Sequence, residues 1–191
     1  MEIKVKEADA PRPTLRLPPG ERPHTAIVDM GMIHSDELLV YVRIEAMAAM
    51  GKHAQIGGAL EVGGFLLGGY HVSRGQRFLD IDVAFPALEA KSEAISLTFD
   101  NVALKAFHKE REKRFPNKLI LGWYHTHPRH SVFLSPHDVF IHKSFFSQPH
   151  HVAIVIDPYQ HYATQQVGVF VWESTGLSQG CHPVIYQVDQ E

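Results

Sequence analysis

The sequence predicts an α/β sandwich, a mixed and largely antiparallel sheet flanked by helices. Three observations lead there. Apolar runs of strand length recur at Leu60–Val72, Arg77–Phe85, Leu119–Trp123, His151–Ile156, Gln166–Trp172 and Val184–Val188. Ahead of them Asp36–Met50, and among them Asn101–Phe115, carry apolar residues at helical spacing. Some strands are joined by tight turns and others by helices, so hairpin pairing is mixed with crossovers.

Each element has a local reason. Glu2–Lys6 alternates and predicts a short edge strand. Ala10–Pro23 holds Pro11, Pro13, Pro18, Pro19 and Pro23, a density that excludes regular structure and predicts an extended arm on the surface. Residues 1–24 are therefore set apart from a domain over 25–191, with a first strand at Ala26–Val28. Ser35-Asp36-Glu37 resembles an N-cap with an acidic first turn. Leu38, Leu39, Val42, Ala46 and Met50 then predict a helix that Gly51 ends. Leu60–Val72 and Arg77–Phe85 make a hairpin around Ser73-Arg74-Gly75-Gln76. Pro86–Ala94 is expected to be a loop and Ile95–Phe99 a strand. Asp100-Asn101 caps the next helix, whose Lys109–Arg114 run forms a solvated face.

Composition bounds the function. With 191 residues, 45% hydrophobic and 20% charged, the chain is an ordinary one-domain globular protein. Lys+Arg minus Asp+Glu is 18 − 21 = −3, which gives no reason to expect nucleic acid or an anionic membrane as partner. The single cysteine, Cys181, excludes an internal disulfide and a cysteine-based zinc cluster, and suits a cytoplasmic setting. Met1-Glu2-Ile3-Lys4 does not open a signal peptide, and no apolar run is long enough to span a membrane.

The chemistry concentrates in Leu119–Val139. Side chains two apart on a strand share a face, so Trp123, His125 and His127 point the same way where the strand leaves the core. Pro128 stops the ladder and turns the chain. Ser135-Pro136-His137-Asp138 then starts a helix, with Ser as N-cap and Pro in the first turn. Asp138 points back toward the loop. Two imidazoles and a carboxylate, with a fourth position for water, are the ligand count of a catalytic zinc site, so His125, His127 and Asp138 are the expected Zn²⁺ ligands. Taken alone, His-x-His in a chain with 14 His would be only a strand with a polar mouth. The Ser-Pro-His-Asp helix start shifts that balance toward metal.

Gly122-Trp123-Tyr124-His125-Thr126-His127-Pro128, followed by Ser135 and Asp138, resembles the His-x-His-Pro and Ser-x-x-Asp signature of the JAMM (MPN-plus, Mov34/JAB) zinc metallopeptidases. Glu61-Val62-Gly63-Gly64-Phe65-Leu66-Leu67-Gly68 resembles the family's Glu-x-Gly-x-x-x-Gly strand, and Val152–Pro158 its following strand. The match runs from about Ala26 to Trp172 in consistent order. It implies the MPN (JAB/cytidine-deaminase-like) fold. It implies Glu61 as the general acid–base and Ser135 as a donor to the tetrahedral oxyanion, beside its role as a cap. It also implies cleavage after the C-terminal glycine of a ubiquitin-like protein. Compact chains of this kind resemble prokaryotic deubiquitinase-like members. Some of those accompany E1-like and E2-like operon partners in antiphage defence, and others process sulfur-carrier proteins.

Three other classes compete with this one. A catalytically inactive MPN scaffold would lack ligands or the glutamate, and here all five residues are present. A nucleoside deaminase needs His-x-Glu and Pro-Cys-x-x-Cys, which a single cysteine cannot supply. A cysteine protease would pair Cys181 with His182, whose adjacency puts the two on opposite faces of an extended chain. The glycines of Glu61–Tyr70 lead to one further expectation, a thin Gly-rich substrate tail laid along that strand.

Overall fold

The structure is a computed structural model and describes residues 11–31, 38–88, 91–92, 97–98, 101–160, 166–178 and 182–189. The expected edge strand at Glu2–Lys6, the N-cap at Ser35-Asp36 and Cys181 lie outside these residues. The strands are β1 (Thr14–Leu15), β2 (Thr25–Asp29), β3 (Leu39–Arg43), β4 (Gly63–Ser73), β5 (Gln76–Pro86), β6 (Lys91–Ser92), β7 (Leu97–Thr98), β8 (Leu119–Thr126), β9 (Val152–Ile156), β10 (Val167–Glu173), β11 (Gly176–Leu177) and β12 (Val184–Val188). The helices are α1 (Ile44–Gly57), α2 (Asn101–Arg114) and α3 (Pro136–Phe145), with a 3₁₀ turn at Pro19–Glu21.

The main sheet runs β11-β10-β9-β8-β4-β5-β3-β12-β2, with β1 beside the far end of β4. Five neighbouring pairs along it are antiparallel, while β8/β9, β3/β5 and β3/β12 are parallel. This is the mixed, largely antiparallel sheet that the sequence predicts. One face packs on α1 through Val42, Met50, Leu66, Leu79, Tyr124 and Ile154. The other packs on α2 and α3 through Phe65, Phe107, Trp123, Ile141, Phe146 and Val155. Helices therefore cover both faces of the sheet.

The predicted helix over Asp36–Met50 is corrected. Leu39–Arg43 is strand β3, and the helix starts at Ile44 and passes through Gly51 to Gly57. Leu38, Val42, Ala46 and Met50 are four apart, a spacing that alternation satisfies as well as a helix does. Val40 decides between them: it is buried with Leu38 and Val42, so the inward set has period two. Parallel pairing to β5 and β12 then favours the strand. Gly58, at φ 60°, is where α1 ends.

Two further expectations change. The predicted loop Pro86–Ala94 contains β6, which pairs with β7 in a separate two-stranded ladder. The Pro-rich arm is not without regular structure. Thr14 and Leu15 pair with His71 and Val72, and the Thr14 hydroxyl meets His71 Nδ1 at 2.7 Å. Arg22 bridges the buried Asp80 carboxylate at 2.7 Å, a carboxylate that also accepts from the Tyr186 hydroxyl. The β4–β5 hairpin turns through Arg74 and Gly75, both at positive φ (49° and 84°), as a two-residue primed turn requires.

One irregularity positions the site. Leu66 faces Gly122 but Leu67 faces Ile120, so Leu121 is an extra residue, a β-bulge in β8. Before it, Ile120 faces α2 and α3 and Leu121 faces α1. After it, Trp123 faces α3 and Tyr124 faces α1. The bulge thus inverts the alternation and turns Trp123 and His125 toward α3. Gly122 has φ 144°, and a Cβ there would stand 1.8 Å from the Val152 carbonyl oxygen, so only glycine fits.

Candidate metal centre

His125 is the penultimate residue of β8 and is fully buried. The His127 N–H donates to the Ile156 carbonyl at 2.8 Å, which keeps the chain beside β9 for two more residues before Pro128 turns it. Asp138 arrives from the other side. Ser135 is the N-cap of α3, and the two residues form a capping box: Asp138 N–H donates to Ser135 Oγ at 3.2 Å, and Ser135 N–H donates to Asp138 Oδ2 at 2.7 Å. This reciprocal pair locks the aspartate rotamer.

The three donors converge. His125 Nε2 and His127 Nε2 are 3.1 Å apart, and each lies 3.4 Å from Asp138 Oδ2. With bonds of about 2.0–2.1 Å, a tetrahedral zinc separates neighbouring donors by about 3.3–3.4 Å. The triangle formed by this chain matches one face of that tetrahedron, and all three residues are buried. The residues present therefore fit a zinc ion. Among the described residues, no other group of three His, Cys, Asp or Glu converges in this way.

The electrostatics suit a cation. Burial pushes the Asp138 carboxyl up, but hydrogen bonds from His125 and His127 outweigh it and hold the group well below the usual carboxylate range. Burial lowers the His125 imidazole, and Asp138 opposes that only in part. Burial also acts to lower His127, yet Asp138 and Glu61 win and raise it. The pocket thus holds a fixed negative charge against two neutralisable nitrogens.

Glu61 lies beside this set and outside it. Its Oε1 is 3.7 Å from His127 Nε2, and its side chain is buried. Burial raises its carboxyl to about 7; His127 pulls it down and Asp138 pushes it up. The sequence predicts Glu61 at the start of a strand, whereas β4 begins at Gly63 and Glu61 stands on the lead-in. That lead-in is fixed by Thr126, whose Oγ1 accepts from Val62 N–H at 3.0 Å while its own N–H donates to the Val62 carbonyl at 2.9 Å.

The glycines of β4 do not leave room for a substrate tail. Gly64 is buried, and a Cβ on it would meet the Phe85 carbonyl oxygen at 2.2 Å and the Tyr124 ring at 2.8 Å. Both edges of β4 are occupied, by β5 and β8. These glycines serve close contact within the sheet.

His130 and His137 are exposed, and Glu61, Ser135, His125, His127 and Asp138 gather at one place. Two further residues matter to the site: His142, which its place near the motif leaves either solvated or behind the ligands, and Asp157, at the end of the Val152–Pro158 stretch. His142 is fully buried and accepts the Trp123 indole N–H at 3.1 Å. Asp157, also buried, accepts from Arg129 N–H at 3.0 Å and Ser131 N–H at 2.9 Å, two residues held at φ 68°. It thereby shapes the loop that sets Phe133 against the His127 ring, with centroids 4.8 Å apart. The Asp-Pro after an apolar strand was the available signal for this role.

Fold and site together define a class: α/β sandwich proteins that bring two imidazoles and a carboxylate together around a place that fits one metal ion. The chain belongs to the JAB1/Mov34/MPN/PAD-1 ubiquitin protease family, whose model matches residues 37–148. It is 29% identical over 148 residues to the 26S proteasome regulatory subunit rpn11 of Schizosaccharomyces pombe, covering 76% of this chain and 46% of that protein. It is also 29% identical over 123 residues to the ubiquitin carboxyl-terminal hydrolase RPN11 of Saccharomyces cerevisiae, covering 63% of this chain and 39% of that protein. The chain thus spans less than half the length of these relatives. The solution structure of protein DSY2949 from Desulfitobacterium hafniense shares the fold, with a TM-score of 0.58 at 16% identity over 80% of this chain and 94% of that one.

Proposed function

We propose that this chain is a zinc-dependent isopeptidase that cleaves the amide bond after the C-terminal glycine of a ubiquitin-like protein, deconjugating or maturing it. The observation that carries the reading is the preformed donor triangle of His125, His127 and Asp138, with the Glu61 carboxylate 3.7 Å from the nearer imidazole and outside the ligand set. A binding module has no need of a buried carboxylate beside a metal triad. Family membership and the likeness to a ubiquitin carboxyl-terminal hydrolase support the substrate class, a ubiquitin-like protein and its conjugates. E1-like and E2-like operon partners and a cytoplasmic setting go with it. Among the described residues, no helix is long and apolar enough to cross a membrane.

When bound, zinc supplies Lewis-acid polarisation of the scissile carbonyl and makes water acidic enough to ionise near neutral pH. His125, His127 and Asp138 would hold it. Glu61 takes the proton of the attacking water as the new C–O bond forms, then delivers it to the leaving amine as the C–N bond breaks. Ser135 Oγ already accepts from Asp138 N–H. Its own hydrogen is thus free to donate to the oxygen on which charge develops.

The test is direct. The purified chain should carry about one zinc per molecule. It should release a reporter amine from a ubiquitin-like fusion, lose that activity to a chelator and regain it with zinc. Replacing the last tail glycine with a bulky residue should stop cleavage. A chain that takes up no zinc would sink the reading. Zinc without cleavage of any ubiquitin-like or sulfur-carrier fusion would return the chain to the binding-module class.

A further inference from the structure

We propose that His142 is a positioning residue for the metal ligand His125: it anchors Trp123, and the Trp123 ring sets the plane of the His125 imidazole. The inference rests on the zinc reading above.

A histidine that ligates a metal normally donates its second ring N–H to a carboxylate, a carbonyl or water, and that bond fixes the ring. Here His125 Nδ1 is buried and has no hydrogen-bond partner among the described residues. An aromatic neighbour packs on the ring. Trp123 lies flat against it, with centroids 4.4 Å apart and planes 11° from parallel. Phe146 also lies parallel to Trp123, at 6.1 Å and 11°. The imidazole therefore continues an aromatic stack, and the indole sets the plane in which it lies.

The indole is pinned at one polar atom. Trp123 Nε1–H donates to His142 Nδ1 at 3.1 Å, both side chains being fully buried. An indole N–H can only donate, so His142 Nδ1 must be bare and its ring neutral. His142 is fixed in turn by Trp172, whose ring lies 5.1 Å away at 24° and whose own Nε1–H donates to the Phe146 carbonyl at 2.8 Å.

The register of α3 gives this arrangement its logic. Asp138 and His142 are four apart, one helical turn, and face the same way. One helix therefore supplies the carboxylate donor directly and clamps the first imidazole donor through Trp123. A shift of α3 would move both together. Without that hydrogen bond the packed indole changes its tilt, and the His125 imidazole stacked on it turns its Nε2 lone pair away from the shared centre.

The experiment measures zinc affinity by competition with a chelating dye, and the absorption spectrum of the cobalt-substituted protein, which reports ligand geometry without turnover. His142→Ala should weaken zinc by about 10-fold or more and alter the cobalt bands. His142→Asn, whose carbonyl oxygen can stand near the position of Nδ1, should restore most of both. Trp123→Phe keeps a stacked ring but removes the donor, so it should behave like His142→Ala, and the double variant should lose no more than either. This arm keeps the test informative if His142→Ala fails to fold. A wild-type chain that binds no zinc overturns the metal reading and this inference with it. A wild type that binds zinc, with His142→Ala or Trp123→Phe binding equally well and showing unchanged cobalt bands, overturns this inference alone.

Discussion

Thr126 and Val62 exchange two hydrogen bonds: the Val62 N–H reaches Thr126 Oγ1 at 3.0 Å, and the Thr126 N–H reaches the Val62 carbonyl at 2.9 Å. The pair ties the last residue of β8 to the residue after Glu61. The strand that carries His125 thus also fixes where the Glu61 carboxylate stands. Thr126→Val removes the acceptor and leaves a buried N–H unpaired, a loss of about 1–3 kcal/mol. Turnover should fall while zinc is retained, and Thr126→Ser should restore both stability and rate. Stability by denaturant titration and zinc content by elemental analysis separate the two effects.

Glu61→Gln tests the proposed proton carrier. The amide keeps the shape of the side chain but cannot accept the proton, so turnover should drop by about 10²-fold or more. Zinc content should stay near that of the wild type, because Glu61 stands 3.7 Å from His127 and is not one of the three converging donors. Loss of zinc in this variant would make Glu61 a ligand.

Zinc should stabilise the native state, since the donor triangle exists only when β8 and α3 are packed together. At free zinc about 1,000-fold above its dissociation constant, the gain is about 4 kcal/mol. Asp138→Ala should abolish this zinc-dependent rise in melting temperature. It should also lower the metal-free stability by about 1 kcal/mol, because half of the capping box disappears with it.

Gly122→Ala should be among the most damaging single substitutions outside the ligand set. The new Cβ would overlap the Val152 carbonyl oxygen, and φ 144° is strained for any residue with a side chain. A loss of about 3 kcal/mol or more is expected. Because the bulge turns Trp123 and His125 toward α3, whatever fraction folds should also bind zinc poorly.

Acid should destabilise the chain through His142. Burial holds its imidazole at about 4, against the ordinary 6.5. As pH falls from 6.5 to 4, the unfolded chain takes up this proton and the folded chain does not. Stability therefore drops through that window and levels off below it. A shift of this size is worth on the order of 3 kcal/mol. Burial moves His53, His150 and His151 in the same direction. The cleanest measurement is a difference: His142→Asn does not titrate there, so its stability-against-pH curve should be shallower between pH 4 and 6.5.

The legible part of the site lies in local sequence. Ser135-Pro136-His137-Asp138 reads as a capped helix start because its hydrogen bonds close within four residues, and the structure shows that capping box. His125-Thr126-His127 on a strand end puts two imidazoles on one side for the same reason. The Arg74-Gly75 turn follows from two residues at positive φ. In each case the relevant partner is no more than a few positions away.

What tertiary structure decided is of another kind. The segment Leu38–Met50 satisfies helix and strand spacing together, and it became β3 and then α1 because β5 and β12 stand on either side of its first half. The bulge at Leu121 exists only against Leu66 and Leu67 of β4. The sequence leaves His142 either solvated or behind the ligands, and its bond to Trp123, 19 residues away, decides between them. The sequence by itself determined which side chains can ligate and how each local turn closes, since those are short-range geometry. The packing of β4, β8, β9 and α3 decided which face His125, His127 and Asp138 take and how close they stand, because burial and pairing depend on residues far apart in the chain.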